Sequence, residues 1–172
     1  MSAMKPLLVE IGTEELPPTA LRTLMDAFSE KMLAGLDDAR LAHGDARAYG
    51  SPRRLAVIVE ELAERQLDRT VEQKGPPTKI AFDDGGNPTP AATAFAKKCG
   101  VAVSNLGRSQ TAKGEWLSFT AVEKGRSAAE LLPGLIEAAL HDLPIPRRMR
   151  WGATNIEFVR PVHWVVLLHG TE

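Results

Sequence analysis

The spacing of apolar residues predicts one long helix near the start of the chain. Apolar positions separated by three, four and seven residues form a stripe along one helical face. The positions are Leu21, Leu24, Met25, Phe28, Met32, Leu33 and Leu36. The preceding segment, residues 7–12, is short and apolar and ends in glycine, which predicts a strand.

Two further helices are predicted from the residues at their ends. Thr89 and Pro90 are residue types preferred at an N-cap and a first helical position, and Gly100 is typical of a helix end. Residues 127–130 have the capping-box spacing and precede a second apolar stripe. Because Pro133 lies inside that stripe, we expect this helix to begin later or to kink there.

Three other apolar segments predict strands, and polar segments between them predict loops. The predicted strands cover residues 55–59, 116–122 and 162–168. Residues 67–77 are polar and end in Gly-Pro-Pro, so a loop is predicted there, as it is for residues 83–88. Residues 111–114 have the composition of a hairpin turn.

Helices and strands are interleaved without a regular strand–helix–strand repeat. This order predicts the α+β class, with a mixed or mainly antiparallel sheet and three main helices packed on it. We expect one α+β region over residues 1–172, with two subdomains and a break near 65–88 as the alternative. The last strand leads into residues 169–172, which resemble a turn toward a partner strand outside the sequence. The chain is therefore expected to be the front of a longer protein.

Composition narrows the class of protein. Hydrophobic residues make up 44% and charged residues 25% of the 172 positions, as in soluble globular proteins. A net charge of −1 argues against non-specific nucleic-acid binding as the main task, although it allows a local basic patch. Cys99 is the single cysteine, and the apolar stretch 6–11 is too short for a signal peptide. We expect a cytoplasmic protein that contacts no membrane.

Few residues have a pattern that indicates catalysis or metal binding. His163 and His169 lie on one strand roughly 20 Å apart, too far to share a metal ion. No nucleophile motif is present, and Cys99 lies near the wrong end of a helix for an activated thiol. Glu10, Glu14 and Glu15 could act as acids or magnesium ligands. We favour a solvated loop that stabilises a helix dipole.

The most informative local feature is the segment 147–151, in which three arginines precede a tryptophan. Arginine pairs bidentately with phosphate, and an indole can stack on a base. The candidate residues for contact with RNA or a partner protein are Arg53, Arg54, Arg147, Arg148, Arg150, Trp151 and Arg160. The alternative is that the arginines pair with acids such as Glu157 and that Trp151 packs in the core. Composition does not decide between the two readings.

Six blocks of the sequence, taken in order, resemble the beta subunit of bacterial tetrameric glycyl-tRNA synthetase. The blocks are LVEIGTEELPP (8–18), SPRRLA (51–56), KGP (74–76), KGEW (113–116), LPIP with MRWG (143–152) and FVRPVHW (158–164). Each block alone is weak evidence, but six in the family's order, spanning the chain almost end to end, are specific.

The resemblance implies a tetramer of two alpha and two beta subunits that joins glycine to tRNA(Gly) at the expense of ATP, with magnesium. It places the class II active site in the alpha subunit. It makes the beta subunit several times longer than this chain and assigns it tRNA recognition, with an anticodon-binding region near its C-terminus. No catalytic residue, metal ligand or cofactor of the family falls on these positions. The chain alone is therefore expected to be inactive.

Two alternative functions remain open from the sequence. The chain could be a purely structural module that docks on the alpha subunit, which the near-zero net charge favours. A hydrolytic editing domain is the less favoured alternative, because a pocket that fits glycine rejects larger amino acids by size alone.

Overall fold

A computed structural model of the chain describes residues 3–83, 85–111, 114–153 and 157–172. Asp84 in the predicted loop 83–88, and Ala112 and Lys113 in the predicted turn 111–114, lie outside the described residues. The chain forms two compact units, one made of residues 1–67 and 125–172 and the other of residues 68–124. The first unit contains the N-terminal strand and the C-terminal strand of the chain.

The described residues form nine strands and four α-helices. In chain order these are β1 (Met4–Thr13), α1 (Pro18–Asp38), β2 (Ala46–Ser51), β3 (Arg54–Ala63), β4 (Arg69–Pro77), α2 (Thr78–Ala81), α3 (Pro90–Cys99), β5 (Gly107–Thr111), β6 (Gly114–Glu123), α4 (Ala128–His141), β7 (Met149–Arg150), β8 (Glu157–Phe158) and β9 (Val162–His169). All strand pairs are antiparallel, which confirms the predicted α+β class. The described strands form three separate sheets, whereas one sheet was predicted.

The first unit is built on a four-stranded sheet in the order β2-β3-β1-β9. Leu7, Val9 and Ile11 alternate along β1 and are fully buried, as expected when one face of a strand packs on a core. They share a hydrophobic cluster with side chains of α1 and α4. Strand β1 is therefore the central element of the unit, paired on both sides and covered on one face.

Helix α1 confirms the predicted apolar stripe. Leu24, Phe28, Met32 and Leu36 are fully buried, and their spacing of four residues places them on one face. The helix begins directly after Pro17, with a proline in its first turn as the sequence suggested. The start of α1 therefore follows directly on the loop after β1.

Helix α4 begins at Ala128, directly after Ser127, so the first of the two expectations, a later start, is wrong. The Ser127 hydroxyl accepts a hydrogen bond from the Glu130 backbone N–H (3.3 Å), and the Glu130 carboxylate accepts one from the Ser127 N–H (3.1 Å). This capping box satisfies donors of the first turn. It fixes the start of the helix and offsets the hydrogen bond that Pro133 cannot donate.

The second unit contains a three-stranded sheet in the order β4-β6-β5, with α3 packed against it. The prediction of a loop over residues 67–77 is wrong, because Arg69–Pro77 is strand β4. Its polar side chains find partners across the sheet, as in the 2.9 Å ion pair between Arg69 and Glu123. Helix α3 has the predicted ends, with Thr89 at the N-cap and Gly100 in a left-handed conformation (φ +71°).

Close packing at one end of the first unit's sheet requires a glycine. The register of β1 and β9 places Gly12 opposite Trp164. A Cβ atom at residue 12 would lie 2.0 Å from Trp164 Cε2, which is closer than any van der Waals contact. The absence of a side chain at Gly12 therefore lets the indole of Trp164 lie against the backbone of β1.

We predict that Gly12→Ala lowers the free energy of unfolding by about 1–3 kcal/mol, because the indole must move to admit the methyl group. Urea denaturation would measure the loss. In a Trp164→Ala background the same change should cost much less, since the clashing ring is gone. Gly44→Ala is the control, because its Cβ would be 3.5 Å from the nearest atom. Equal losses in both backgrounds would contradict this account.

We also predict that Ser127→Ala destabilises the first unit by about 1 kcal/mol, because the Glu130 N–H loses its acceptor. The measurement is again the free energy of unfolding. Ser29→Ala is the matched control, since Ser29 lies in the interior of α1 and caps no helix. A Ser127→Ala variant as stable as the Ser29→Ala variant would show that the capping box contributes little.

Candidate functional site: the Glu14 loop and its arginines

The loop between β1 and α1, residues 13–17, is held by backbone hydrogen bonds from two other parts of the chain. We call it the Glu14 loop. The N–H groups of Thr13 and Leu16 donate to the carbonyls of Arg53 (2.9 Å) and Pro52 (2.6 Å). The Glu14 N–H donates to the carbonyl of Pro161 (3.0 Å). The loop is therefore fixed between the turn that joins β2 to β3 and the segment that enters β9.

Burial of two side chains in the loop adds to this restraint. Thr13 is fully buried and Leu16 is 2% exposed, whereas Glu15, which lies between them in the sequence, is exposed. Prolines at 52 and 161 supply carbonyl acceptors on backbone whose φ is already fixed. The arrangement presents Glu14 and Glu15 on a rigid backbone.

The Glu14 carboxylate lies between two side chains. One of its oxygens is 2.8 Å from Nε2 of His163, and the other accepts a hydrogen bond from the Arg53 guanidinium at 3.4 Å. Arg53 also donates through Nε to the Thr13 carbonyl, at 3.4 Å. The Glu14 side chain thus joins the β2–β3 turn to β9, as the backbone of the Glu14 loop also does.

Glu10 forms a second, parallel set of contacts on the sheet. Its carboxylate is 3.6 Å from the Arg54 guanidinium and accepts a hydrogen bond of 3.3 Å from the Trp164 indole N–H. The guanidinium of Arg54 lies 5.7 Å from the centroid of the Trp164 ring, within range of a cation–π contact. Arg54 is therefore held by a carboxylate and an aromatic face.

These contacts correct the interpretation of the acidic cluster as a helix-dipole feature. Helix α1 has no acidic residue in its first turn. Glu10 and Glu14 pair instead with Arg54 and Arg53, partners about forty residues away in the sequence. His163 and Trp164 complete the cluster, and sequence reasoning did not select them as site residues, although both stand in the last block of the resemblance.

Arg160 links the Glu14 loop to strand β7. Its Nε donates to the Glu15 carbonyl (3.0 Å), and its Nη1 lies 3.1 Å from the sulfur of Met149. A third bond runs from Nη1 to the carbonyl of Val159 (3.4 Å). The three contacts of this guanidinium that the structure describes are all made to other parts of the first unit, which indicates a positioning role.

The segment 147–151 has mixed surroundings. The Arg148 guanidinium donates to the carbonyl of His141 at the C-terminal end of α4, where a positive charge stabilises the helix dipole. Trp151 is half-buried and packs against the core, as one of the two open readings supposed. Arg150 is opposite Glu157 in the β7–β8 pair, and Arg147 and Arg150 are exposed.

The seven predicted residues thus fall into two groups within the first unit. Arg53, Arg54 and Arg160 surround the Glu14 loop and contact acids or carbonyls. The other group is the segment 147–151, and the Arg160–Met149 contact joins the two. No three His, Cys, Asp or Glu side chains in the described part of the chain are arranged to hold a metal ion.

Two more blocks of the resemblance meet in the second unit. The Lys74 ammonium lies 4.2 Å from the centroid of the Trp116 ring, and strands β4 and β6 place the two residues on one sheet. Gly75 is needed beside them, since a Cβ there would lie 2.5 Å from the ring of Phe95. Sequence reasoning assigned this segment to a loop and missed the contact.

Among the described residues, none of the helices combines the length and apolar character that crossing a membrane requires.

Comparison with known proteins identifies the family. The family profile described as "Glycyl-tRNA synthetase beta subunit" matches residues 7–172. Proteins named glycine–tRNA ligase beta subunit are similar over nearly the whole chain. The one from Marinobacter nauticus is 51% identical over 99% of the chain, and the one from Pseudomonas aeruginosa strain LESB58 is 54% identical over 100%. The one from Edwardsiella ictaluri is 52% identical over 96%.

The chain spans 24% of the length of each of these relatives and corresponds to their N-terminal part. The profile match covers far more than half of the chain and includes the Glu14 loop, both arginine groups and strand β9. The chain belongs to the glycyl-tRNA synthetase beta subunit family.

Proposed function

We propose that this chain is the N-terminal part of a glycine–tRNA ligase beta subunit that supports ATP-dependent attachment of glycine to tRNA(Gly). Its contribution is tRNA recognition and subunit assembly. One observation carries this proposal. Three blocks from distant parts of the sequence, 8–18, 51–56 and 158–164, converge on the Glu14 loop and build a rigid, arginine-bearing surface.

The site residues suit positioning and binding, not chemistry. Glu14 is engaged by His163 and Arg53, and Glu10 by Arg54 and the Trp164 indole. A carboxylate that acts as a general base must reach the proton of a substrate, whereas these two are directed at neighbouring side chains. As the family resemblance implies, we propose that aminoacylation, with ATP and magnesium, takes place in the alpha subunit of a cytoplasmic tetramer of two alpha and two beta subunits, and the pairing of these two carboxylates supports this.

Within this surface, Arg147 and Arg150 are the best candidates for contact with RNA. Both are exposed, and an arginine can bind a phosphate with two parallel hydrogen bonds. Arg148, Trp151 and Arg160 hold the segment to helix α4, to the core and to the Glu14 loop. Replacing these three should disturb the geometry of the surface, whereas replacing the first two should remove charge.

Charge in the first unit favours assembly as the alternative function. This unit carries thirteen lysine or arginine residues and sixteen aspartate or glutamate residues. Arg53 and Arg54 are already paired with carboxylates, so a polyanion would have to compete for them. A protein partner does not require a basic surface, and docking on the alpha subunit accounts for the same residues.

We predict that Arg147→Ala with Arg150→Ala weakens tRNA binding by the full-length beta subunit and reduces its salt dependence. Each lost phosphate contact should lower the slope of log K against log salt by about 0.7–0.9. Arg22→Ala with Arg126→Ala is the matched control, because it removes two exposed charges elsewhere in the first unit.

Adding Arg148→Ala tests the whole segment, and sedimentation should follow tetramer formation in the same variants. If tRNA affinity and salt slope stay unchanged but tetramers are lost, the assembly function is correct. Wild-type values for affinity, salt slope and assembly together would remove the segment from both functions.

We further predict that the purified 172-residue chain forms no glycyl-tRNA when it is incubated with ATP, glycine and tRNA(Gly). The reason is that the family resemblance assigns the active site to the alpha subunit, and that Glu10 and Glu14 are paired with Arg54 and Arg53. Charging of radiolabelled glycine measures the activity, and addition of full-length alpha and beta subunits is the positive control. Product formed by the chain alone would refute the assignment of the chemistry to the alpha subunit.

A further inference from the structure

Strand β9 has the composition of an interior strand but occupies the edge of its sheet. It pairs with β1 on one side, and no described residue pairs with the other. The strand Val162–His169 contains no Asp, Glu, Lys or Arg and no proline. Natural edge strands usually carry such residues, because an unprotected edge recruits other strands. An apolar strand without them is typical of a position between two neighbours.

The exposed side chains of β9 agree with this reading. Trp164 is 40% exposed, Val165 51% and Leu168 42%. These residues lie on both faces of the strand, since neighbouring residues of a strand point to opposite sides. Apolar surface is thus exposed around the open edge and is not confined to one face of the sheet.

The backbone beyond β9 already turns back along this edge. Gly170 has φ +67°, and its N–H donates to the Pro6 carbonyl (2.8 Å) on the side of β1. His169 and Glu172 exchange two hydrogen bonds, from His169 N–H to Glu172 (2.9 Å) and from Glu172 N–H to His169 (3.4 Å). This is the pattern of a two-residue hairpin turn.

The alternation of an antiparallel ladder determines on which side of β9 this turn places Glu172. Gly170 and the residues two and four before it direct their backbone groups toward β1. The backbone groups of the residues between them, His169, Leu167 and Val165, therefore point away from β1. Glu172 bonds to the backbone of His169. Glu172 lies on the open edge, beside the N–H and C=O groups of Leu167 and Val165, to which no described residue is bonded.

We propose that the open edge of β9 receives a fifth antiparallel strand, formed by the segment that follows Glu172 in the full-length polypeptide. The relatives continue well beyond the region that this chain matches, since the chain spans 24% of their length. A strand connected by a two-residue turn has a far higher effective concentration at the edge than a second molecule. It should carry apolar residues on both of its faces, because the exposed side chains of β9 lie on both faces of the sheet.

The fifth strand would also extend the candidate functional site. In an antiparallel hairpin each residue beyond Glu172 is opposite one residue nearer to the start of β9. About six residues after Glu172 the strand would reach His163, which contacts Glu14. The Glu14 loop surface is then completed by side chains of the segment that follows.

Hydrogen–deuterium exchange resolved to single amides tests the proposal in the full-length beta subunit and in the 172-residue chain. The amides of Val165 and Leu167 should exchange at least about a hundredfold more slowly in the full-length subunit than in the shorter chain. The amide of Val166, which faces β1, should be protected in both. Equally fast exchange of Val165 and Leu167 in both proteins would overturn the proposal.

The same measurement identifies other occupants of the edge. Protection of Val165 and Leu167 that rises with the concentration of the full-length subunit would indicate a second copy. Protection of the full-length subunit that begins only when alpha subunit or tRNA is added would indicate that partner. Either result would overturn the proposal. The readout does not use aminoacylation or tRNA affinity, so it can succeed or fail independently of the proposed function.

A matched pair of proline variants gives a second test. Val165→Pro removes an N–H that faces the open edge, and Val166→Pro removes one that faces β1. In the 172-residue chain, only Val166→Pro should lower the urea midpoint substantially, whereas both should lower it in the full-length subunit. A Val165→Pro variant that destabilises the two proteins equally would contradict a fifth strand.

Discussion

The first unit depends on three backbone N–H groups of the Glu14 loop, each of which needs a hydrogen-bond acceptor from another part of the chain. An N–H group that has neither water nor another acceptor costs as much free energy as a lost hydrogen bond. The loop can therefore take this path only where backbone carbonyls are in place to accept from it. Arg53, Pro52 and Pro161 provide them, from segments about forty and one hundred and fifty residues from the loop. Those three bonds hold the start of α1 beside the β2–β3 turn, which contains Arg53, and beside the segment that enters β9.

The pairing register of β1 and β9 determines which side chains of the sheet lie beside the Glu14 loop. Gly12 is opposite Trp164, and the indole can donate to Glu10 only because no side chain at residue 12 intervenes. A slip of one residue between β1 and β9 would move Trp164 to the other face and separate it from Arg54 and Glu10. Strand pairing thus brings the acidic and basic residues of the site together, and the same pairing leaves the outer edge of β9 open.

Sequence reasoning predicted what is locally encoded. The stripe of α1 and the ends of α3 depend on neighbours three or four residues away, so periodicity and end signals were sufficient. Strand β4 was missed because its polar residues are stabilised by partners across the sheet, such as Glu123 opposite Arg69. The arginines were found by composition, but their carboxylate partners Glu10 and Glu14 could not be, since only the fold brings them together.

The pairing of these charges limits how the surface can bind RNA. An arginine that is paired with a carboxylate loses that partner when it binds a phosphate. Its net contribution to the free energy of binding is then only the difference between two ion pairs of similar strength. Arg53 and Arg54 are in this position, whereas Arg147 is exposed and belongs to the other arginine group. Phosphate contact is therefore favoured at the segment 147–151, and the paired arginines give the Glu14 loop a fixed shape that a protein or a folded RNA can recognise by fit.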